Sequence, residues 1–82
     1  MGLTFAAPST ATVPATAQAA FDRGRAFYDQ RNYDAAIREF TEAIRIDPNF
    51  AAAYRNRGMA YERKGDTVRA NADYAKRDEL RR

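Results

Sequence analysis

The chain repeats itself with a period of 34 residues. When the sequence is shifted by this distance, small residues fall on small residues and aromatic residues fall on aromatic residues. The matched pairs are Gly24 with Gly58, Arg23 with Arg57, Ala26 with Ala60, Phe27 with Tyr61, Ala36 with Ala70, and Phe40 with Tyr74. A fixed period of this length is typical of an array in which one supersecondary unit stacks on copies of itself. The chain is therefore predicted to contain two such units.

Apolar residues inside each unit recur at the period of an α-helix. The clearest stripe comprises Ala36, Ile37, Phe40, Ala43 and Ile44, spaced by one, three, three and one residues. No segment shows a sustained period of two, so β-strands are not expected. Turn-forming residues divide the chain into four predicted helices. They begin at Thr16 as N-cap, at Tyr33, at Pro48 or Asn49 and at Thr67, and they end at residues 30–32, at Asp47, at residues 64–66 and at about Leu80.

The fourth helix is the most polar. Its inward residues are predicted to be mainly Val68, Ala70 and Tyr74, whereas Asn71 and Asp78 stand where the second helix has isoleucines. A repeat array needs a last helix with a polar outer face, because nothing further covers it. The fourth helix is therefore interpreted as a cap, although simple divergence of the repeat predicts the same polar surface.

These features resemble the tetratricopeptide repeat family, with one repeat over residues 17–50 and a second over residues 51–82. The family pattern has a small residue at Gly24 and Gly58 and an aromatic residue three positions later. It then has Tyr-Asp-x-Ala at the start of the second helix, which fits residues 33–36. The resemblance covers both repeats and is far more specific for fold than for function.

The resemblance implies an all-α fold of the α-solenoid type, in which two antiparallel helix-turn-helix hairpins stack within a domain over residues 16–82. The second copy departs from the family pattern near its end. Thr67 replaces an aromatic residue there, and Arg77 replaces a small one.

Residues 1–15 differ in composition from the rest of the chain. They are rich in Ala, Thr and Pro and carry no charged side chain. Pro8 and Pro14 oppose helix formation, so a flexible leader is predicted. The leader lacks the basic start and the long apolar run of a signal peptide. A trimmed remnant of an exported precursor would have this composition, which favours a soluble, exported or periplasmic bacterial protein.

Catalysis is not expected from this sequence. The chain has no cysteine and no histidine, so thiolate chemistry and the two commonest transition-metal ligands are missing. The carboxylates lie mainly on helix faces predicted to be wet, and no Gly-rich loop precedes a helix as a phosphate site would require. The sequence therefore predicts no enzyme, no cofactor and no metal site.

The resemblance implies a concave groove lined by the first helix of each repeat, and it places ten residues there. They are Gln18, Phe21, Arg25, Tyr28 and Asp29 from the first repeat, and Arg55, Asn56, Met59, Glu62 and Arg63 from the second. The arginines would orient acidic groups of a bound peptide or partner helix. Phe21, Tyr28 and Met59 would supply apolar contact. Alternatively, these three residues cover the core or face a second copy of the chain.

A co-chaperone branch of the family grips a C-terminal carboxylate with basic and amide side chains spread over three repeats. Asn56 matches the middle asparagine of that clamp. Phe21 and Arg25, however, stand where the clamp has a lysine and an asparagine, and a third repeat is missing. The clamp is therefore not predicted.

Charge is distributed unevenly along the chain. The first fifty residues contain five basic and six acidic residues, and the remainder contains nine basic and five acidic residues. A basic second half could bind an anion or a nucleic acid. The interspersed acids and the lack of a basic and aromatic stacking motif favour a protein partner instead. A structural oligomerisation scaffold is a third possibility.

Two repeats are fewer than the three that such arrays usually need, because each repeat buries its apolar face against neighbours. The first helix carries Phe21, Phe27 and Tyr28, which cannot all face the second helix. Some aromatic surface is therefore expected to remain exposed. Two-fold pairing would bury the same patch on both copies, so a homodimer is predicted in preference to a weakly stable monomer.

Overall fold

The computed structural model describes residues 15–82, and within that range the chain forms α-helices and no strand. The helices are α1 (Ala17–Asp29), α2 (Tyr33–Ile46), α3 (Ala51–Arg63) and α4 (Thr67–Leu80). The predicted all-α class is confirmed. The predicted leader, apart from Ala15, lies outside the described residues. None of the four helices is long and apolar enough to cross a membrane.

Short polar side chains begin three of the four helices. Thr16 Oγ1 accepts a hydrogen bond from the Ala19 amide at 3.0 Å, as predicted for this N-cap. Asn32 and Asp66 cap α2 and α4 in the same way. Each bond satisfies one of the amides that the start of a helix leaves without an intrahelical partner.

The third helix begins at Ala51, two or three residues later than predicted. The Asp47 side chain accepts a hydrogen bond from the Asn49 amide at 3.1 Å, and its carbonyl accepts one from the Phe50 amide at 3.1 Å. These two bonds close a turn around Pro48. The helix can start only after this turn is complete.

The two hairpin loops use the same backbone conformation at equivalent positions. Arg31 has a φ of 64° and Gly65, 34 residues later, has a φ of 84°. Asn32, which was predicted to adopt the turn conformation, has a φ of −94° and caps α2 instead. A left-handed residue after a helix lets the chain reverse direction, and only glycine adopts it without steric cost.

Consecutive helices pack against one another along the chain, whereas α1 and α3 touch only slightly. The connecting loops contain three or four residues, so neighbouring helices are antiparallel. The result is two helix hairpins, α1 with α2 and α3 with α4, that stack through α2 and α3. This arrangement agrees with the predicted pair of helical hairpins.

Within each hairpin, a glycine gives room to an aromatic ring. A Cβ atom placed on Gly24 would lie 2.5 Å from Phe40 Cε1, and one placed on Gly58 would lie 2.8 Å from Tyr74 Cε1. Both distances are too short for carbon atoms in contact. The 34-residue period therefore repeats one packing contact, in which the glycine of the first helix receives the aromatic residue of the second.

The core is centred on three phenylalanine rings. Phe40 is fully buried. The centroid of the Phe21 ring lies 5.7 Å from that of Phe40 and 4.9 Å from that of Phe50. Small residues, among them Ala36 and Ala53, fill the space between the helices. Burying each large apolar side chain contributes about 2 kcal/mol relative to leaving it in water.

One predicted core residue of α4 is not in the core. Val68 is 79% exposed, whereas Asp73 is buried. The Asp73 carboxylate accepts two hydrogen bonds from Arg57, which compensate for its removal from water. Ala70 is fully buried and Tyr74 packs over the glycine of α3, as predicted. The prediction for Val68 was wrong because an ion pair, not an apolar stripe, determines which face of α4 turns inward.

Candidate functional site

A cleft of about 170 Å³ lies between α1 and α3. Its lining residues are Arg25, Tyr28 and Asp29 from α1, and Arg55, Asn56 and Met59 from α3. Spacings of three and four residues bring side chains to one face of a helix. The two helices run in the same direction, because a single antiparallel helix separates them. The two rows of side chains therefore face each other along the cleft.

The two arginines of the cleft carry uncompensated positive charge. Among residues 15–82, neither has a carboxylate oxygen within 4 Å. The Arg25 guanidinium lies 5.8 Å from the centre of the Phe21 ring, and Arg55 Nη1 donates a weak hydrogen bond to Asn56 Oδ1 at 3.4 Å. Both arginine side chains are exposed. This end of the cleft attracts anionic groups.

A hydrogen bond joins the two walls of the cleft. Arg63 Nε on α3 donates to Tyr28 Oη on α1 at 3.1 Å, and the guanidinium lies 5.8 Å from the centre of the Tyr28 ring. The ring of Tyr33 meets Tyr28 edge-on, with 5.2 Å between centroids. The hydrogen bond to Tyr28 raises the pKa of Arg63, so its charge is secure. These contacts fix the orientation of Tyr28.

Glu62, which was predicted to line the groove, is bonded to α4. Its carboxylate accepts a hydrogen bond from Tyr74 Oη at 2.7 Å. Burial of the phenol, and then its bond to the negatively charged Glu62, raise the pKa of Tyr74 to about 12. The phenol therefore keeps its proton at neutral pH. The Glu62 charge is engaged within the second hairpin and is not among the groups that line the cleft.

Six of the ten residues predicted for the groove lie together in the cleft, and Phe21 and Gln18 do not. The Phe21 ring is 8% exposed, because Phe40 and Phe50 pack against it. The predicted apolar contact between Phe21 and a ligand is therefore corrected: this ring belongs to the core. Gln18 is exposed nearer the start of α1, where its side chain donates to Asp22 at 2.9 Å.

A second, more open hollow lies on α4, and the sequence did not predict it. Its lining residues are Ala72, Ala75, Lys76, Glu79 and Arg82. Lys76 and Glu79 are ion-paired at 3.0 Å. The signal available in the sequence was the pair of small residues at exposed positions of the last helix.

The acidic residues of the described region are dispersed over the surface. Within residues 15–82, no three side chains of His, Cys, Asp or Glu lie close enough together to hold a metal ion. Most of the carboxylates accept hydrogen bonds from arginine, lysine or backbone amides instead. The cleft is thus a surface of two arginines, one aspartate, one amide and two side chains with apolar character.

The pattern of the tetratricopeptide (TPR) repeat matches residues 24–65, just over half of the chain. The chain is similar to three proteins of Arabidopsis thaliana. The probable UDP-N-acetylglucosamine–peptide N-acetylglucosaminyltransferase SEC is 45% identical over 47 residues, which make up 57% of this chain and 5% of that protein. Hsp70-Hsp90 organizing protein 3 is 33% identical over 52 residues, 63% of this chain and 9% of the relative. Hsp70-Hsp90 organizing protein 1 is 39% identical over 44 residues, 54% of this chain and 8% of the relative. The chain thus matches less than a tenth of the length of each relative.

Proposed function

Because the chain belongs to the TPR repeat family, we propose that it is a non-enzymatic protein-interaction module. In this proposal the cleft between α1 and α3 holds an extended peptide or a helix of a partner protein. The family is generally a non-catalytic interaction repeat, and that much needs no finer argument. The location of the binding surface and the nature of the ligand are our inference from this chain.

The cleft is the observation that carries the proposal. Tyr28 and Met59 are half-buried and present part of their surface to it. Arg25 and Arg55 add charge that no other residue in the described part of the chain neutralises. Apolar contact area beside a few polar anchors is the usual composition of a peptide-binding groove.

Peptide binding by matched variants tests the location of the site. Arg55→Glu and Met59→Ala change the cleft, whereas Arg38→Glu makes the same charge reversal on an exposed residue of α2 outside it. Peptides selected by the chain from a random octapeptide library should bind the two cleft variants about fivefold or more weakly. Binding to Arg38→Glu should be unchanged. If all three variants bind like the unmodified chain, the cleft is not the site.

The names of two relatives refer to organisation of Hsp70 and Hsp90, so peptides from those chaperones are reasonable first probes. The carboxylate clamp of co-chaperones is nevertheless not part of the proposal. Phe21, at the position of a clamp lysine, is buried in the core, and Arg25 replaces an asparagine. The match to the glycosyltransferase covers only 5% of that protein, and we do not extend its activity to this chain.

Self-association is the second candidate function. The argument from exposed aromatic residues is weakened, because Phe21 is buried while Phe27 and Tyr28 pack against the core. The exposed large apolar side chain among residues 15–82 is Val68, on α4. A homodimer would therefore pair through α4. Sedimentation of the unmodified chain and of Val68→Lys over a wide concentration range tests this, and a monomer at high micromolar concentration excludes it.

Binding of nucleic acid is the weaker alternative. Of the nine basic residues in the second half of the chain, five are already paired with carboxylates: Arg57, Lys64, Arg69, Lys76 and Arg77. Fewer cations therefore remain for phosphate contacts. Salt-sensitive binding of RNA that exceeds binding of any peptide would favour this alternative. An exported location remains a prediction, and fractionation of the source cells would test it.

A further inference from the structure

Asp29 is the carboxylate that the fold leaves without a partner. All eleven Asp and Glu side chains lie within residues 15–82. Ten of them accept a hydrogen bond from an arginine, a lysine, a tyrosine, a glutamine or a backbone amide. Asp29 accepts none from this range, and no cation of this range lies within 4 Å of it. The one unengaged carboxylate thus lines the cleft, together with two unengaged arginines.

The charges of the cleft are ordered along its length. The Arg25 guanidinium extends toward the ring of Phe21, away from Asp29. Arg55 occupies in the second repeat the position that Phe21 occupies in the first, so the two arginines lie at the same end. Arg25 and Asp29 are four residues apart on α1, which corresponds to about 6 Å along the helix axis. The cleft therefore has a positive end and a negative end.

We infer that the cleft recognises an extended segment of a partner protein in which an acidic and a basic side chain are two residues apart. Alternate residues of an extended chain point to the same side and are separated by about 6.6 Å. That distance is close to the axial separation of Arg25 and Asp29. The acidic side chain binds at the two arginines and the basic one binds at Asp29. This inference rests on the proposed function, since it specifies the ligand of the same cleft.

Other charge patterns fit this cleft less well. A segment with acids at both positions would place a carboxylate against Asp29, and one with bases at both would place a cation against Arg25 and Arg55. Like charges at close range disfavour binding and so provide specificity. Acid and base on adjacent residues would point to opposite sides of an extended segment, so only one of them could enter the cleft. Met59 contacts the aliphatic stems of the two bound side chains.

Octapeptides blocked at both termini test the inference, because they carry no terminal charge. The first peptide contains Glu and Lys two residues apart in an Ala-Ser background. The second contains the same Glu and Lys on adjacent residues, and the third contains Glu at both positions. Affinities for the full chain are measured by isothermal titration calorimetry at low ionic strength. Because one exposed ion pair changes an equilibrium constant by a factor of about two to five, we expect the first peptide to bind about tenfold more tightly than the others.

The variant Asp29→Lys makes both ends of the cleft positive. Since Asp29 is exposed and makes no hydrogen bond in residues 15–82, this variant is expected to fold normally, which circular dichroism checks. Its preference should change to the peptide with two glutamates. Equal binding of all peptides, or an unchanged preference in Asp29→Lys, overturns the inference.

The two proposals fail in different ways. If the peptides bind without charge selectivity and Met59→Ala weakens them, the cleft is a peptide site and only the charge pattern is wrong. If no blocked peptide binds and the cleft variants behave like the unmodified chain in every assay, both proposals fail.

Discussion

Arg57 and Asp73 form a doubly bonded ion pair across the second hairpin, with Nε and Nη2 of the arginine 2.9 and 2.8 Å from the two carboxylate oxygens. Arg23 and Glu39 occupy the equivalent positions 34 residues earlier and share one bond of 3.1 Å. The side chains of the second pair are 19% and 7% exposed, compared with 40% and 26% for the first. The repeat thus preserves an ion pair that is well buried only in its second copy.

Loss of Asp73 should destabilise the fold far more than loss of Glu39. In Asp73→Ala, a largely buried guanidinium loses its partner, and we expect the free energy of unfolding to fall by about 3 kcal/mol. Glu39→Ala removes a half-exposed pair and should cost less than about 1 kcal/mol. Urea unfolding followed by circular dichroism at 222 nm measures both. Similar losses in the two variants would show that burial does not set the contribution of the pair.

A methyl group at Gly24 should be poorly tolerated, although alanine normally favours a helix. The added Cβ would meet the ring of the fully buried Phe40. Overpacking of this kind costs about 1–3 kcal/mol, which exceeds the helix-propensity gain of about 1 kcal/mol. We expect Gly24→Ala to lower the urea midpoint. The smaller ring space needed in Gly24→Ala/Phe40→Leu should restore part of the loss, and no recovery would contradict steric overlap as its cause.

Exchange of the loop residues Arg31 and Gly65 should have opposite effects on stability. Both have a left-handed backbone, which costs a residue with a side chain about 1 kcal/mol relative to glycine. Arg31→Gly should therefore raise the thermal midpoint and Gly65→Arg should lower it. Differential scanning calorimetry measures both changes. Because both residues are exposed, a shift of the same sign in the two variants would mean that some effect other than backbone strain dominates.

Tyr74 should be the last of the five tyrosines to ionise. Its pKa is raised to about 12, chiefly by burial and then by the Glu62 carboxylate. A group with a raised folded-state pKa contributes stability below its ordinary value of 10.0, and that stability is lost as the pH rises toward 12. The phenolate absorbance of the unmodified chain should show a late phase between these values that Tyr74→Phe lacks. A single titration phase near pH 10 before unfolding would contradict the prediction.

The sequence predicted the four helices and their pairing because the 34-residue period encodes a repeated contact. Gly24 with Phe40 and Gly58 with Tyr74 are the same glycine–aromatic contact, and conservation of size at these positions is visible without a structure. The start of α3 was not predictable in this way, because it depends on hydrogen bonds made by the Asp47 side chain within the turn.

Predictions of individual side chains were less accurate where one helix face serves two purposes. Phe21 was assigned to the groove because α1 contributes to both the groove and the core, and only the packing of Phe50 against it decides between them. Val68 and Asp73 were interchanged because hydropathy alone gives no credit for an arginine partner on another helix. The six residues of the cleft were predicted together because they lie on the parts of α1 and α3 that no other helix covers.

The bond between Arg63 and Tyr28 has a geometric consequence for the whole stack. The two first helices of the repeats scarcely touch, so this bond limits how far their C-terminal ends can separate. The angle between successive repeats sets the superhelical curvature of a solenoid. Arg63 is exposed, and a ligand that attracts it away from Tyr28 would release this restraint and flatten the curve. The breadth of the cleft and the curvature of the stack are therefore a single mechanical variable, with Arg63 as its latch.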